Sequence, residues 1–252
     1  YVAEGIMLRM KEIYEQQKKH AAEASTPDKP HGVGVAMGSF NISNFGDQSR
    51  VRLELNPDGS VTHYSTWEDM GQGADVGCLT YVHEGLKELG IHPDQIHLVM
   101  NDSRLCPDSG RAAASRSNLM VGLATKDACE RLLKAMRKED GTYRTYAEMV
   151  DEGIPTSYMG IKIQPVNPNM NDLTGEGKLA PDQSYAGFIS EVEVDKATGK
   201  TRVVAMHCVT DAGTVTNQIS FEGQAYGGMQ HSIGYALSED YNDTRKCRTL
   251  VG

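Results

Sequence analysis

No run of apolar residues in this chain of 252 residues comes near the roughly 18 that a membrane-spanning helix needs. Nor does a basic segment followed by an apolar one open the chain, so nothing reads as a signal peptide and the expected location is the cytoplasm. Basic charge is in deficit. With 25 Lys and Arg against 34 Asp and Glu, the formal net charge is -9, which argues against nucleic acid as a partner while leaving room for a local basic cradle around one phosphorylated ligand. Cysteines are few and scattered: Cys78, Cys106, Cys129, Cys208 and Cys247 show neither C-x-x-C nor C-x-C spacing. That pattern fits reduced thiols better than a disulfide framework, a zinc knuckle or an iron–sulfur cluster. The eight histidines contain no H-E-x-x-H pair, and there is neither a G-x-S-x-G elbow nor a Walker loop. Gly71-Gln72-Gly73 lacks the trailing x-x-G of a dinucleotide fingerprint, and the hairpin before it is not a βαβ unit.

What is present is an ordinary globular composition, 39 % apolar and 23 % charged, long enough to bury a core as one large domain or two smaller ones. Tyr1 is not an initiator methionine and Thr249-Leu250-Val251-Gly252 lacks a closing polar tail, which predicts a piece of a longer protein.

Along the chain, Ile6, Met10, Ile13 and Tyr14 recur at helical spacing between Glu4 and Ala24, predicting an amphipathic helix that Ser25-Thr26-Pro27-Asp28-Lys29-Pro30 ends. Residues 1–30 are therefore read as a helix and linker from a preceding domain, and 31–252 as a further domain with a possible subdivision near 140–185. A strand is predicted from His31 to Phe40, then a hairpin in which Val51–Leu55 and Val61–Thr66 flank the turn Asn56-Pro57-Asp58-Gly59. A helix follows from about Asp75 to Leu89, with Gly90 as its stop, then a strand over Gln95–Met100 and a helix from about Arg116 to Arg137. Tyr143–Glu152 reads as a short helix, and Thr156–Pro181 carries no clear pattern. A second hairpin, Gly187–Val194 and Arg202–Thr210, leads to a helix from about Asn217 to Leu237. The fold class is α+β: two β-hairpin-plus-helix units with mixed sheets.

Three stretches carry possible chemistry. Trp67-Glu68-Asp69-Met70-Gly71-Gln72-Gly73-Ala74-Asp75-Val76-Gly77 joins a strand to a helix through backbone stripped of Cβ atoms, which either only makes the turn or lets an anion approach outward N–H groups. Pro107-Asp108-Ser109-Gly110-Arg111-Ala112-Ala113-Ala114-Ser115-Arg116 sets small side chains, serines and arginines ahead of a helix. It is a solvated loop with a helix start at Ser115, or a place for a planar or phosphorylated group. The third is the last helix, whose Gly223, Gln224, Gly227 and Gly228 serve either close packing or a ligand, since each helical glycine costs about 1 kcal/mol relative to alanine.

Glu68-Asp69-Met70-Gly71-Gln72-Gly73-Ala74-Asp75-Val76-Gly77, then Asp108-Ser109-Gly110 through Ser115-Arg116, then Glu222-Gly223-Gln224-Ala225-Tyr226-Gly227-Gly228 through Gly234-Tyr235-Ala236-Leu237-Ser238-Glu239 follow one another in an informative order. Together they resemble the molybdenum-binding region of the xanthine oxidase family of molybdenum hydroxylases. The likeness is nearest to bacterial aldehyde oxidoreductases of the molybdopterin cytosine dinucleotide type and covers nearly all of the chain from His31 onward. The resemblance implies an enzyme that hydroxylates an aldehyde or an N-heterocycle such as a purine with water, using molybdopterin and molybdenum. Electrons leave through iron–sulfur clusters in another part of the protein or a partner subunit, and the parent is a homo-oligomer.

By that resemblance Gly71, Gln72, Gly73 and Ala74 contact the pterin, and Ser109, Gly110, Ala113, Ala114, Ser115 and Arg116 form a cofactor loop. In that loop Ala113 and its neighbours border the metal, and Ser115 and Arg116 hold the pterin or its phosphates. Gly223 and Gln224 lie on the opposing helix, where Gln224 hydrogen-bonds a metal oxo ligand. No residue here ligates the metal directly, and the family's general-base glutamate is expected beyond Gly252. A non-catalytic pterin- or nucleotide-binding or assembly module is the alternative reading.

Overall fold

The computed structural model describes residues 2–113, 115–166, 171, 173–178 and 180–239. They form two compact units, one from residues 1–39 with 184–252 and the other from 40–183.

The central unit is built on strands β2 (Gln48–Leu55), β3 (Val61–Ser65), β4 (Ile96–Met100) and β5 (Ser157–Ile163), ordered β4-β3-β2-β5. β2 runs antiparallel to both β3 and β5, while β3 and β4 are parallel, so the sheet is mixed as the sequence predicts. Period-two alternation turns Val51, Leu53 and Leu55 inward and leaves Arg50 exposed and Arg52 and Glu54 half-buried. The inward face meets helix α3 (Arg116–Met136), whose Val121, Ala124, Ala128 and Leu132 recur at helical spacing and are all buried. Burial of a side chain the size of Val121 or Leu132 stabilises the fold by about 1.5–3 kcal/mol relative to exposure. Helix α2 (Ala74–Gly85) adds Cys78 and Val82, and Trp67 closes the end of the core. A short 3-10 turn, Lys87–Leu89, completes the helical stretch, and Gly90 ends it in the left-handed conformation with φ 66°. Helix α4 (Tyr146–Asp151) begins at a capping box made by Thr145 and Glu148.

β5 lies inside Thr156–Pro181, where the sequence shows no pattern. Gly160 interrupts the apolar alternation, and it does so because α3 passes directly over it: a Cβ there would collide with the carbonyl oxygen of Ala124.

The other unit pairs strands β1 (His31–Ile42), β6 (Asp182–Val194) and β7 (Thr201–Asp211) in the order β1-β6-β7. β6 and β7 form the second hairpin, antiparallel with an irregularity between Glu191 and Val192. Helix α1 (Val2–Ala24) buries Ile6, Met10 and Ala21, and with Ile189 the first two form a small core of their own. Gly187 is glycine because Met10 sulfur occupies the place of its Cβ. The unit boundaries lie at 39/40 and 183/184, and α1 packs against Ile189 of β6. A polar knot ties the same unit: buried Glu191 meets His31 Nδ1 at 2.7 Å and His20 Nδ1 at 2.9 Å. Burial pushes the Glu191 carboxyl up, but the hydrogen bonds from His31 and His20 outweigh it and hold it below the usual glutamate range. Helix α5 (Gln218–Leu237) starts at Asn217, whose side chain accepts from Ser220 N–H, and has no buried residue.

No helix among the described residues is long and apolar enough to cross a membrane.

Candidate functional site

The strand-to-helix junction is held by Asp69. Its Oδ1 accepts from the backbone N–H of Gly71 at 2.8 Å and of Gly73 at 3.3 Å, and its Oδ2 from Asp75 N–H at 3.3 Å. These bonds, those from Gly71 and Asp75 foremost, keep its carboxyl below the usual aspartate range. The donors of Gly71, Gly73 and Asp75, which the sequence offers to an outside anion, are thus engaged by a side chain five residues ahead of Ala74. Gly71 and Gly73 sit at φ 101° and 85°, the left-handed region that glycine tolerates, and nothing lies within 4 Å of where a Gly71 Cβ would stand. Gln72 folds back on its own loop: Nε2 donates to Glu68 O at 2.6 Å, and Oε1 accepts from Met70 N–H at 2.6 Å. Ala74 is buried at the first turn of α2. Glu68 Oε2 is shielded from solvent and has no hydrogen-bond partner.

The second loop is laced to the first. Thr66 N–H donates to Ser109 Oγ at 3.0 Å, Ser109 N–H donates to Thr66 Oγ1 at 2.9 Å, and the Ser109 hydroxyl donates to Arg50 O at 2.8 Å. Ser109 is therefore buried structure and not a free ligand group. Arg116 likewise departs from expectation. It is 1 % exposed, and its guanidinium faces inward to Asp47, Gln48 O, Ser109 O and Arg111 O. A residue read from the sequence as a hand for phosphates is an internal tie. The cation this loop presents to solvent is Arg111, with the Asn44 side-chain amide beside it. Ala113 and Ser115 are exposed, with Ser115 at φ 51° opening α3. Gly110 is half-buried, and Ala114 lies outside the described residues.

Gly223 and Gln224 belong to α5, in the other unit. Gln224 is exposed, and nothing lies within 4 Å of a Cβ built at Gly223, Gly227 or Gly228. Close packing thus does not account for these three glycines among the described residues. At Gly234 a Cβ would meet only the flexible carboxylate of Glu239.

The sequence passed over Asp47, which no local pattern links to Arg116 69 positions later. Among the described residues no group of three or more His, Cys, Asp or Glu is placed to hold a metal ion. Burial pushes the thiols of Cys78 and Cys129 up to about 12, so they are packing side chains in neutral form.

Comparison with known proteins settles the family. Residues 8–249 match the molybdopterin cofactor-binding domain. The chain belongs to that family. It is 40 % identical over 240 residues to an aldehyde oxidoreductase of Megalodesulfovibrio gigas, covering 95 % of this chain and 26 % of that protein. The solved aldehyde oxidoreductase of Desulfovibrio desulfuricans superposes with a TM-score of 0.88 at 44 % identity, over 96 % of this chain and 27 % of that one. That of Desulfovibrio gigas gives 0.91 at 38 %, over 98 % and 27 %. The resemblance to the molybdenum-binding region of the xanthine oxidase family is borne out, and with it the α+β class. This molybdopterin cofactor-binding domain spans 26 % to 27 % of the length of these relatives.

The residues present fit such a group. A pterin carries amino and ring N–H donors, and Glu68 Oε2 is a shielded acceptor lacking one. The missing Cβ atom of Gly71, in the same unit, leaves open surface that any other residue would fill.

Proposed function

We propose that this domain is part of a molybdenum hydroxylase that oxidises an aldehyde, or an N-heterocycle such as a purine, with water as oxygen source. It contributes part of the wall around molybdopterin in its cytosine dinucleotide form. The observation that carries the reading is the 40 % identity over 240 residues to an aldehyde oxidoreductase, extending through all three glycine-bearing stretches.

When bound, the cofactor supplies a molybdenum centre that takes up two electrons from the substrate carbon. The chain's own residues hold and orient it. Gly71 and Gly73 would offer backbone that a flat ring can approach, Gln72 would continue that wall with buried Ala74 packed behind it, and Glu68 would accept a ring N–H. Ser115 offers a hydroxyl at the mouth of α3, Gly110 and Ala113 keep the loop low, and Arg111 brings the charge that phosphates require. Gln224, exposed on an open face of α5, would offer its amide to the cofactor. No residue of this chain is assigned as general base or metal ligand. Electrons pass to iron–sulfur domains of the same enzyme or a partner subunit, and the parent acts as a cytoplasmic homo-oligomer.

Metal and pterin analysis of the full-length protein, followed by dye reduction with an aldehyde and with hypoxanthine, tests this. Molybdenum, a cytosine-bearing pterin and aldehyde-dependent reduction are expected. A protein that binds pterin but reduces no dye with either substrate is the non-catalytic module, and one without molybdenum ends the proposal. Gln72→Ala and Gln224→Ala are each expected to lower cofactor occupancy or turnover in the parent; full occupancy and full activity in either variant removes the role given to that residue.

A further inference from the structure

We propose that Arg116 is a positioning residue for the cofactor loop, an internal cation around which Ser109 to Ser115 is wrapped, and not itself a ligand of the cofactor. This rests on the reading above, which makes that loop part of the cofactor wall.

The geometry leaves the guanidinium no donor to offer. Nε–H donates to Asp47 Oδ2 at 2.6 Å, and Nη2 to Asp47 Oδ1 at 3.1 Å, Gln48 O at 3.0 Å and Ser109 O at 3.3 Å. Nη1 donates to Ser109 O at 3.2 Å and to Arg111 O at 2.7 Å. An arginine has five N–H groups in a planar fork, and six contacts saturate them. Two of the acceptors, the carbonyls of Ser109 and Arg111, bracket Gly110, so the fork sets the direction in which Arg111 and Ala113 leave the protein. Gly110 itself is at φ 78°, and a Cβ there would stand 2.7 Å from Nη2 and 2.8 Å from Nη1. The loop thus closes over the guanidinium at a distance that only a glycine allows.

Asp47 is in turn fixed from the far side of the sheet edge. Its carbonyl accepts from Gln164 N–H at 2.8 Å, its N–H donates to Asn44 O at 3.3 Å, and its Oδ2 accepts from the Ser43 hydroxyl at 3.3 Å. The loop is therefore anchored through one side chain to two other segments of the same unit, and through Ser109 and Thr66 to the glycine-rich junction. Lysine cannot substitute. Its ammonium is a point charge with three donors and cannot span a carboxylate and three carbonyls lying in different directions.

A direct ligand and a positioning residue make opposite forecasts for the protein stripped of cofactor. The experiment uses the full-length enzyme as wild type, Arg116→Lys, Asp47→Asn and Arg111→Gln. Hydrogen exchange of amides at 109–115 is followed with cofactor present and removed, alongside the rate at which the bound cofactor's visible circular dichroism decays at a temperature well below unfolding. In Arg116→Lys and Asp47→Asn, exchange at 109–115 is expected to rise in the stripped protein as well as the loaded one, with α2 and β3 amides unchanged, and cofactor loss to accelerate about tenfold or more. Arg111→Gln is expected to accelerate loss with exchange unchanged. If Arg116→Lys speeds cofactor loss while exchange in the stripped protein stays at the wild-type rate, Arg116 is a ligand and the inference is overturned. It is equally overturned if exchange rises but cofactor loss does not. Should Arg116→Lys fail to fold, Asp47→Asn, which keeps shape and volume, decides on the same two readouts. A wild-type enzyme that contains no pterin overturns the functional reading instead, and the pterin assay shows this before any variant is compared.

Discussion

His63 on β3 has no exposure at all, and its Nε2 lies 2.9 Å from Thr125 Oγ1 while Nδ1 has no partner. Burial lowers its pKa from the ordinary 6.5 to about 4, so the folded protein keeps the ring neutral where the unfolded chain would protonate it. Between those values the unfolded state binds more protons, so stability rises with pH and is lost as pH falls through 6.5 toward 4. By pH 4 this one group is expected to have removed about 3 kcal/mol. Guanidinium unfolding midpoints at pH 7 and pH 4.5 check it, and His63→Gln is expected to shrink the difference between them. At this scale the sequence was least legible. Composition and order singled out Ser109 and Arg116 as members of one loop, but residue type carries no direction. Both side chains turn inward because distant partners, Arg50 and Thr66 for the serine and Asp47 for the arginine, meet them there. Nothing in a short window announces such partners.

At the scale of elements, periodicity made most of the fold legible, since a strand half-buried on one face or a helix with one apolar stripe must display its period. α1, α3 and α5 fall within a residue or two of expectation, and both hairpins are found, with β2 beginning three residues and β6 five residues earlier than expected. β5 was illegible because packing against α3 demands a glycine at the position where alternation would call for an apolar side chain. Gly160→Ala is accordingly expected to force β5 and α3 apart and to destabilise the protein by about 1–3 kcal/mol or more, seen as a lowered melting temperature. Gly59→Ala, at φ 83° with open space around it, is expected to cost less, from backbone conformation alone. The start of α2 offers a second check. Asp69→Ala releases three N–H groups at once and is expected to cost about 1 kcal/mol as a lost cap and to raise exchange at Gly71, Gly73 and Asp75.

For the molecule as a whole, α5 is the feature that its own unit does not explain. It is a 20-residue helix with no buried residue, and it holds Ile219 at 84 % and Tyr226 at 62 % exposure on one face, seven positions apart. Solvent-facing apolar residues in that arrangement are those of a surface that something else covers. Prepared by itself, the 252-residue chain is expected to bind an apolar-surface dye, with Ile219→Glu reducing the signal; equal dye binding by the variant would locate the apolar surface elsewhere.

The side chains of Asn41 and Gln183 are joined by a hydrogen bond of 3.2 Å, and β1 and β6, on which they lie, are neighbours in one sheet. In sequence the central unit, residues 40–183, lies between the two segments of the other unit, as an insert does between the two halves of a host. Excision of 40–183 and closure with a short glycine linker is expected to leave β1, β6 and β7 paired, because the join has only to bridge adjacent strands. By the same token the insert is a transplantable module: its glycine-rich junction and its arginine-centred loop travel together, with their spacing fixed internally, into any scaffold that presents two neighbouring strand ends.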